Sequence, residues 1–307
     1  MRERKAFTLI ELLVVIAIIA LLMSILAPAL TRVMDQAKNA LCLARLHQWA
    51  AIFSMYSEDN DGHLTGFHNL SPGDKTYTPP GETLDFHEHC WVQRLHRFYA
   101  EPLSWDQNGN ITASEESWEF CMCPNTEKTW YSGEFAGPLT GWDFRWDQMN
   151  AVTPPGGFFS WYGACHGSYG KNSWVTESTL NTQDGTMWYD LDVYAWHTTR
   201  VRGVSRIPLF CDSTMRGGFP QVTNPIPSRP YYWVMELGGE MGRFAIDRHH
   251  LTVNMVFLDL TVRKVGLKQC WQLFWHRNWD LSLAPDPRDP EQWPSWLRNA
   301  PMIELGF

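Results

Sequence analysis

The chain has 307 residues and carries 33 Asp and Glu against 25 Lys and Arg, a formal net charge of −8. That balance argues against a general nucleic-acid binder, whose affinity rests on many basic contacts to phosphate. Its 17 Trp, 10 Tyr and 19 Pro, without low-complexity tracts or internal repeats, point to long ordered loops rather than flexible linkers.

Residues 1–6, MRERKA, set Arg2, Arg4 and Lys5 against Glu3 and read as a basic leader held in the cytoplasm, which sends the rest of the chain across the membrane. Residues 7–30 form one apolar run. As a helix this run is about 36 Å long at roughly 1.5 Å per residue, enough to cross a hydrocarbon core of about 30 Å. A secretory signal has a shorter apolar core with its small-residue cleavage site afterwards; here the small residue, Ala6, comes first. Glu11 is the odd residue of the span, since a carboxylate there costs roughly 2.5–3.5 kcal/mol even on the lenient insertion scale. Cutting between Ala6 and Phe7 would put a new α-amino group about one helical turn from Glu11, within reach of a charge pair. Pro28 lacks an N–H and is expected to kink or loosen the helix.

The order Ala6-Phe7-Thr8-Leu9-Ile10-Glu11, followed by an apolar helix, resembles the type IV pilin and type II secretion pseudopilin superfamily. That resemblance implies cleavage after Ala6 by a membrane-embedded prepilin peptidase, N-methylation of Phe7, and a role for Glu11 in docking subunits into a helical filament. Ala6 stands where relatives usually have Gly. A plain signal anchor explains the length and the leader but not Glu11.

Residues 31–58 read as an amphipathic continuation of the helix. Val33, Ala37, Leu41, Ala44, Gln48, Ala51 and Met55 recur at three- and four-residue steps, a stripe expected to pack on a sheet. The helix is expected to end near Ser57, where Glu58-Asp59-Asn60-Asp61-Gly62-His63 supplies turn residues.

Residues 59–284 are large enough for an extracytoplasmic globular domain, and residues 285–307, rich in Pro, Asp and Trp, for a wrapping tail. Strand-like stretches are Trp188 to Trp196, Ile207 to Cys211 and Tyr231 to Leu237. The clearest signal is a hairpin from Leu251 to Leu258 and Thr261 to Val265, turning at Asp259 and Leu260, with Val253, Met255 and Phe257 on one face. The fold class expected is α+β, a long N-terminal helix on an antiparallel sheet with large loop insertions.

The ectodomain also resembles a large pilin-like group of environmental bacteria marked by a His, nine residues, then Asp-Gly. His249 and Asp259 keep that spacing, with Leu260 in place of the Gly. Cys42 to Gln48, Tyr56, Asp59 to Gly62, Cys123-Pro124 and Ser168 to Asn172 share the resemblance. Seven cysteines in a chain facing an oxidising compartment read first as disulfide formers. Because Cys42 and Cys123 both lie in segments that carry the resemblance, they form the favoured pair, a staple between helix and domain. Cys121 and Cys123 are badly placed to bridge each other.

Other clusters are weak. His87-Glu88-His89-Cys90 with His96 has neither zinc-protease nor finger spacing. Asp59-Asn60-Asp61-Gly62 opens like a calcium loop, but its twelfth position is Leu70 rather than Glu. His249-His250 beside Asp247 and Arg248 reads as hydrogen bonding at the hairpin entrance. No catalytic residue, cofactor or metal is expected. The function expected is a non-enzymatic filament subunit, single-pass in a bacterial inner membrane before assembly into a periplasmic or surface filament. Its expected partners are the prepilin peptidase, other pilin or pseudopilin subunits, an inner-membrane assembly platform and the bilayer, and not nucleic acid. The alternative is an anchored ligand binder using Trp142, Trp146, Trp161 and Trp174 as sugar platforms.

Overall fold

The computed structural model describes residues 9–64, 91–96, 98, 104–105, 111–112, 120–126, 128–130, 140–143, 166–177, 190–228 and 239–306. Its spine is helix α1, Leu9–Asp59. Two consecutive positive-φ residues, Asp61 and Gly62, end it, and Gly62 N–H donates to the Ser57 carbonyl at 2.7 Å. Asn60 caps the same turn through its amide, 2.6 Å from the Tyr56 carbonyl. The Asp59 to Gly62 segment is therefore a helix terminus, as its turn chemistry allows.

The central sheet has five strands, β6 (Tyr169–Asn172), β7 (Pro208–Asp212), β8 (Gly217–Gly218), β9 (Thr252–Phe257) and β10 (Val262–Gly266), in the order β10-β9-β7-β6-β8. Pairing is antiparallel except between β6 and β8, which run parallel, so the sheet is mixed rather than purely antiparallel. Before it come α2 (Trp91–His96), the pair β1 (Ser104–Trp105) and β2 (Ile111–Thr112), and a small sheet of β3 (Lys128–Trp130), β4 (Thr140–Asp143) and β5 (His166–Gly167). The β9–β10 hairpin forms where the alternation places it, with Val262 opposite Val256 and Gly266 opposite Thr252. Within Trp188 to Trp196, residues Leu191–Tyr194 are a short helix instead of a strand, because Asp190 caps it by accepting from Val193 N–H at 3.2 Å. Tyr231 to Leu237 lies outside the described residues.

Both faces of the sheet are covered, so β9 is buried along its whole length. On one face α1 packs Cys42, Leu46, Trp49, Phe53 and Tyr56 against Tyr169, Phe210 and Val256. Aromatic edges interlock there: the ring centroids of Trp49 and Trp91 lie 5.0 Å apart, and those of Phe53 and Phe210 lie 5.7 Å apart. Side chains of this size stabilise by about 1.5–3 kcal/mol each when buried. The stripe expected from sequence is the wrong one: Val33, Ala37, Leu41, Ala44, Gln48, Ala51 and Met55 are all exposed. α1 carries apolar residues on two faces, and the larger side chains take the sheet.

The other face of the sheet, Cys211, Val253, Met255, Phe257 and Val265, packs on Trp271, Trp275, Trp293 and Leu297 from the C-terminal region. Gln269 pins the C-terminal segment there at Ile303, accepting from its N–H and donating to its carbonyl, both at 2.8 Å.

Candidate functional site

Two features stand out, one on the helix and one beneath it. The first half of α1 is apolar and uncovered: Leu9 is 79 % exposed and Ile25 68 %. It is long and apolar enough to cross a membrane. Glu11 falls in its first turn, and the helix runs on through Pro28. Ala6 and Phe7 lie outside the described residues.

The second feature is a buried polar centre where α1 meets the sheet. Cys42 comes from α1, Cys123 from the 120–126 turn, Asp212 from the end of β7, and His249 from the loop before β9; one ligating atom from each lies within 4.8 Å of all the others. Strand alternation explains the aim of Asp212, two residues after Phe210 and so on the same, helix-facing side. The Cys123 turn is held by Ser168 N–H donating to Cys121 O at 2.9 Å, and by Arg45, which donates to the Met122 carbonyl from α1.

Within this centre His249 Nε2 lies 3.1 Å from Asp212 Oδ2 and 3.3 Å from Cys123 Sγ. Cys42 Sγ is 3.6 Å from Asp212 Oδ1 and accepts from Tyr169 O–H at 3.5 Å. The Arg248 guanidinium reaches Asp212 Oδ1 at 3.4 Å and donates to the Ser168 and Ser213 carbonyls at 2.7 and 3.1 Å. Asn254 N–H donates to Asp212 Oδ2 at 3.1 Å, while the Asn125 amide lies 3.0 Å from His249 Nδ1.

Burial opposes every charge here, and neighbouring charges decide the outcome. It pushes the Asp212 carboxyl up, but His249 and Arg248 overcome it and hold the group below the usual carboxylate range. It pushes His249 down, yet the charge of Asp212 and its hydrogen bond raise the imidazole to about 9. It pushes Cys42 up, and hydrogen bonding from Cys123 and His249 brings that thiol down to about 7. Cys123 is raised by burial and by Cys42 beside it.

Cys42 and Cys123, expected from the resemblance as a disulfide, are brought together by the fold but stand as two buried free thiols. The resemblance also linked His249 with Asp259, which the fold separates to opposite ends of β9. Asp259 instead orders the hairpin turn, accepting from Thr261 N–H at 3.1 Å and Arg263 Nη2 at 3.2 Å. Leu260 takes φ of 64° there, a conformation that glycine adopts without strain, which is a physical reason for Gly in the resembling motif. Asp212 was missed because nothing local marks a carboxylate at the end of an apolar strand; only the sheet brings it under α1. The His87 to Cys90 cluster, Trp146 and Trp161 lie outside the described residues. Trp174 is no platform: it is fully buried, its indole donating to the Pro220 carbonyl at 2.9 Å.

A prokaryotic N-terminal methylation motif matches residues 1–27. The chain is also similar to the type IV wide pilus major component PilA4 of Thermus thermophilus, 43 % identical over 65 residues, which is 21 % of this chain. The chain spans about half the length of that curated relative, 50 %. No solved structure matches it. The methylation motif and this relative support a likeness to the type IV pilin and pseudopilin superfamily.

Proposed function

We propose that this protein is a non-enzymatic subunit of a type IV pilus-like or type II secretion filament, held by α1 in the inner membrane until a prepilin peptidase cuts after Ala6 and the assembly platform extracts it. The observation that carries this reading is the uncovered surface of α1. Leu9 to Leu30 are all exposed among the described residues, so this apolar surface needs lipid before assembly and neighbouring helices after it.

The exposed stripe beyond the span supports the same reading. Ala37, Ala44 and Ala51 lie on it with Val33, Leu41 and Met55, on the side of α1 turned away from the sheet. Small residues of this kind let helices approach closely. The methylation motif and the pilus-component relative are consistent with this use. The glycan-binding alternative loses Trp174, one of its candidate platforms.

The test is intact mass and N-terminal sequencing of protein sheared from the cell surface or recovered from the periplasm. A chain beginning at N-methylated Phe7 in sedimentable filaments is the expected result. A chain that keeps residues 1–6 and stays in the membrane fraction overturns the reading.

A further inference from the structure

Four side chains of metal-ligating type converge in the buried centre, from four segments far apart in sequence, with one ligating atom of each within 4.8 Å of the rest. Three of their spacings approach the edges of a coordination sphere. A tetrahedral zinc ion with bonds of about 2.0–2.3 Å has edges of roughly 3.3–3.8 Å between its ligands. Here the edges are 3.3 Å for Cys123 Sγ to His249 Nε2, 3.1 Å for His249 Nε2 to Asp212 Oδ2, and 3.7 Å for Cys42 Sγ to Asp212 Oδ2.

The charges close as well. Two thiolates and a carboxylate around a divalent ion leave one net negative charge, and the buried Arg248 guanidinium beside Asp212 Oδ1 balances it. Arg248 and Asn254 fix the carboxylate, and Tyr169 O–H points at Cys42 Sγ, the outer contacts that a metal site uses to orient its ligands. A cleft of about 250 Å³ lined by Asp35, Asn39, Asn125, His249 and Lys264 gives an approach from solvent. Thiolate and imidazole donors in tetrahedral array select zinc over calcium or magnesium.

We propose that Cys42, Cys123, Asp212 and His249 bind one structural Zn²⁺, which locks the soluble half of α1 to the sheet. The ion replaces the two thiol protons and the proton on His249 Nε2, all released to solvent; no oxidation occurs. A disulfide between Cys42 and Cys123 is the competing state, and it accounts for only two of the four groups.

The full-length chain, extracted in detergent without chelator, is measured for zinc by mass spectrometry of the elements and for thiol state by alkylation and intact mass. The expected result is about one zinc per chain, with Cys42 and Cys123 protected from alkylation until a chelator is added. X-ray absorption on this wild-type protein should show two sulfur ligands at about 2.3 Å and two nitrogen or oxygen ligands at about 2.0 Å. Asp212→Asn and His249→Gln should each lower retained zinc at least tenfold after dialysis. A Cys42–Cys123 disulfide in metal-free native protein overturns the proposal. So do two free thiols that take up no added Zn²⁺ in a chain with intact circular dichroism. None of these outcomes depends on filament assembly.

Discussion

His249 Nε2 and Asp212 Oδ2 lie 3.1 Å apart, with both side chains out of solvent. Asp212 also answers Arg248, so in the metal-free chain one carboxylate serves two buried cations. Asp212→Ala removes the carboxylate that both of them face and, measured without metal, should cost about 3–5 kcal/mol, the range for breaking a buried pair from one side. Asp212→Asn keeps the shape and should cost less. Urea midpoints of the detergent-solubilised chain, followed by tryptophan fluorescence, check the order; equal midpoints for wild type and Asp212→Ala contradict it.

The stripe of α1 turned away from the sheet gives a separation of folding from assembly. Ala44 is exposed on it, so Ala44→Glu should change stability by no more than about 0.5 kcal/mol. Placed where neighbouring helices are proposed to meet, the same charge should lower recovered filament at least tenfold. Wild-type filament yield from this variant would show that the stripe faces nothing.

Glu11 is expected to act at docking rather than at insertion. Glu11→Ala removes an acid from an apolar helix and so favours the membrane-inserted state, while the charge pair expected with the α-amino group of a cleaved Phe7, in the same subunit or the next, is lost. Cell fractionation should find the processed variant in the membrane and absent from sheared filaments.

His276 supplies a pH dependence away from the polar centre. It sits among Trp174, Tyr194 and Trp279, with ring centroids 5.3, 5.0 and 5.1 Å away, and neither ring nitrogen has a hydrogen-bond partner among the described residues. Burial pushes its pKa down to about 4 from 6.5. The unfolded chain therefore binds the proton first: stability is unaffected above about pH 6.5 and falls as pH drops from there to about 4. His276→Phe should make the loss between pH 7 and pH 4.5 smaller by roughly 1–3 kcal/mol, read as the difference in urea midpoints between variant and wild type.

Gly266 ends β10 directly under the C-terminal segment. A Cβ there would strike the Pro301 carbonyl oxygen and come within 2.7 Å of Gln269 Oε1, the atom that accepts from Ile303 N–H. Gly266→Ala should therefore lift the tail, and brief trypsin treatment should cut after Arg288 and Arg298 much sooner than in wild type.

Much of this architecture is written in local pattern. The apolar run with Glu11 near its start marks the anchor, β9 and β10 follow from alternation, and Asp61 and Gly62 from turn chemistry. Periodicity failed on the packing face of α1, because the helix presents Leu46, Trp49 and Phe53 on one side and Val33, Leu41 and Met55 on another. A period of 3.6 finds both stripes and cannot rank them. It failed also at Leu191–Tyr194, where a capping aspartate outweighed strand-like composition.

The sequence by itself determined that this chain has a long helix with an apolar first half, a prepilin-type start and the β9–β10 hairpin, since each depends on residues close together along the chain. Tertiary structure alone decided that Cys42, Cys123, Asp212 and His249 share one buried pocket with Arg248. Those residues come from a helix, a turn, a strand end and a loop, and no spacing along the chain encodes a meeting that requires the sheet to fold beneath α1.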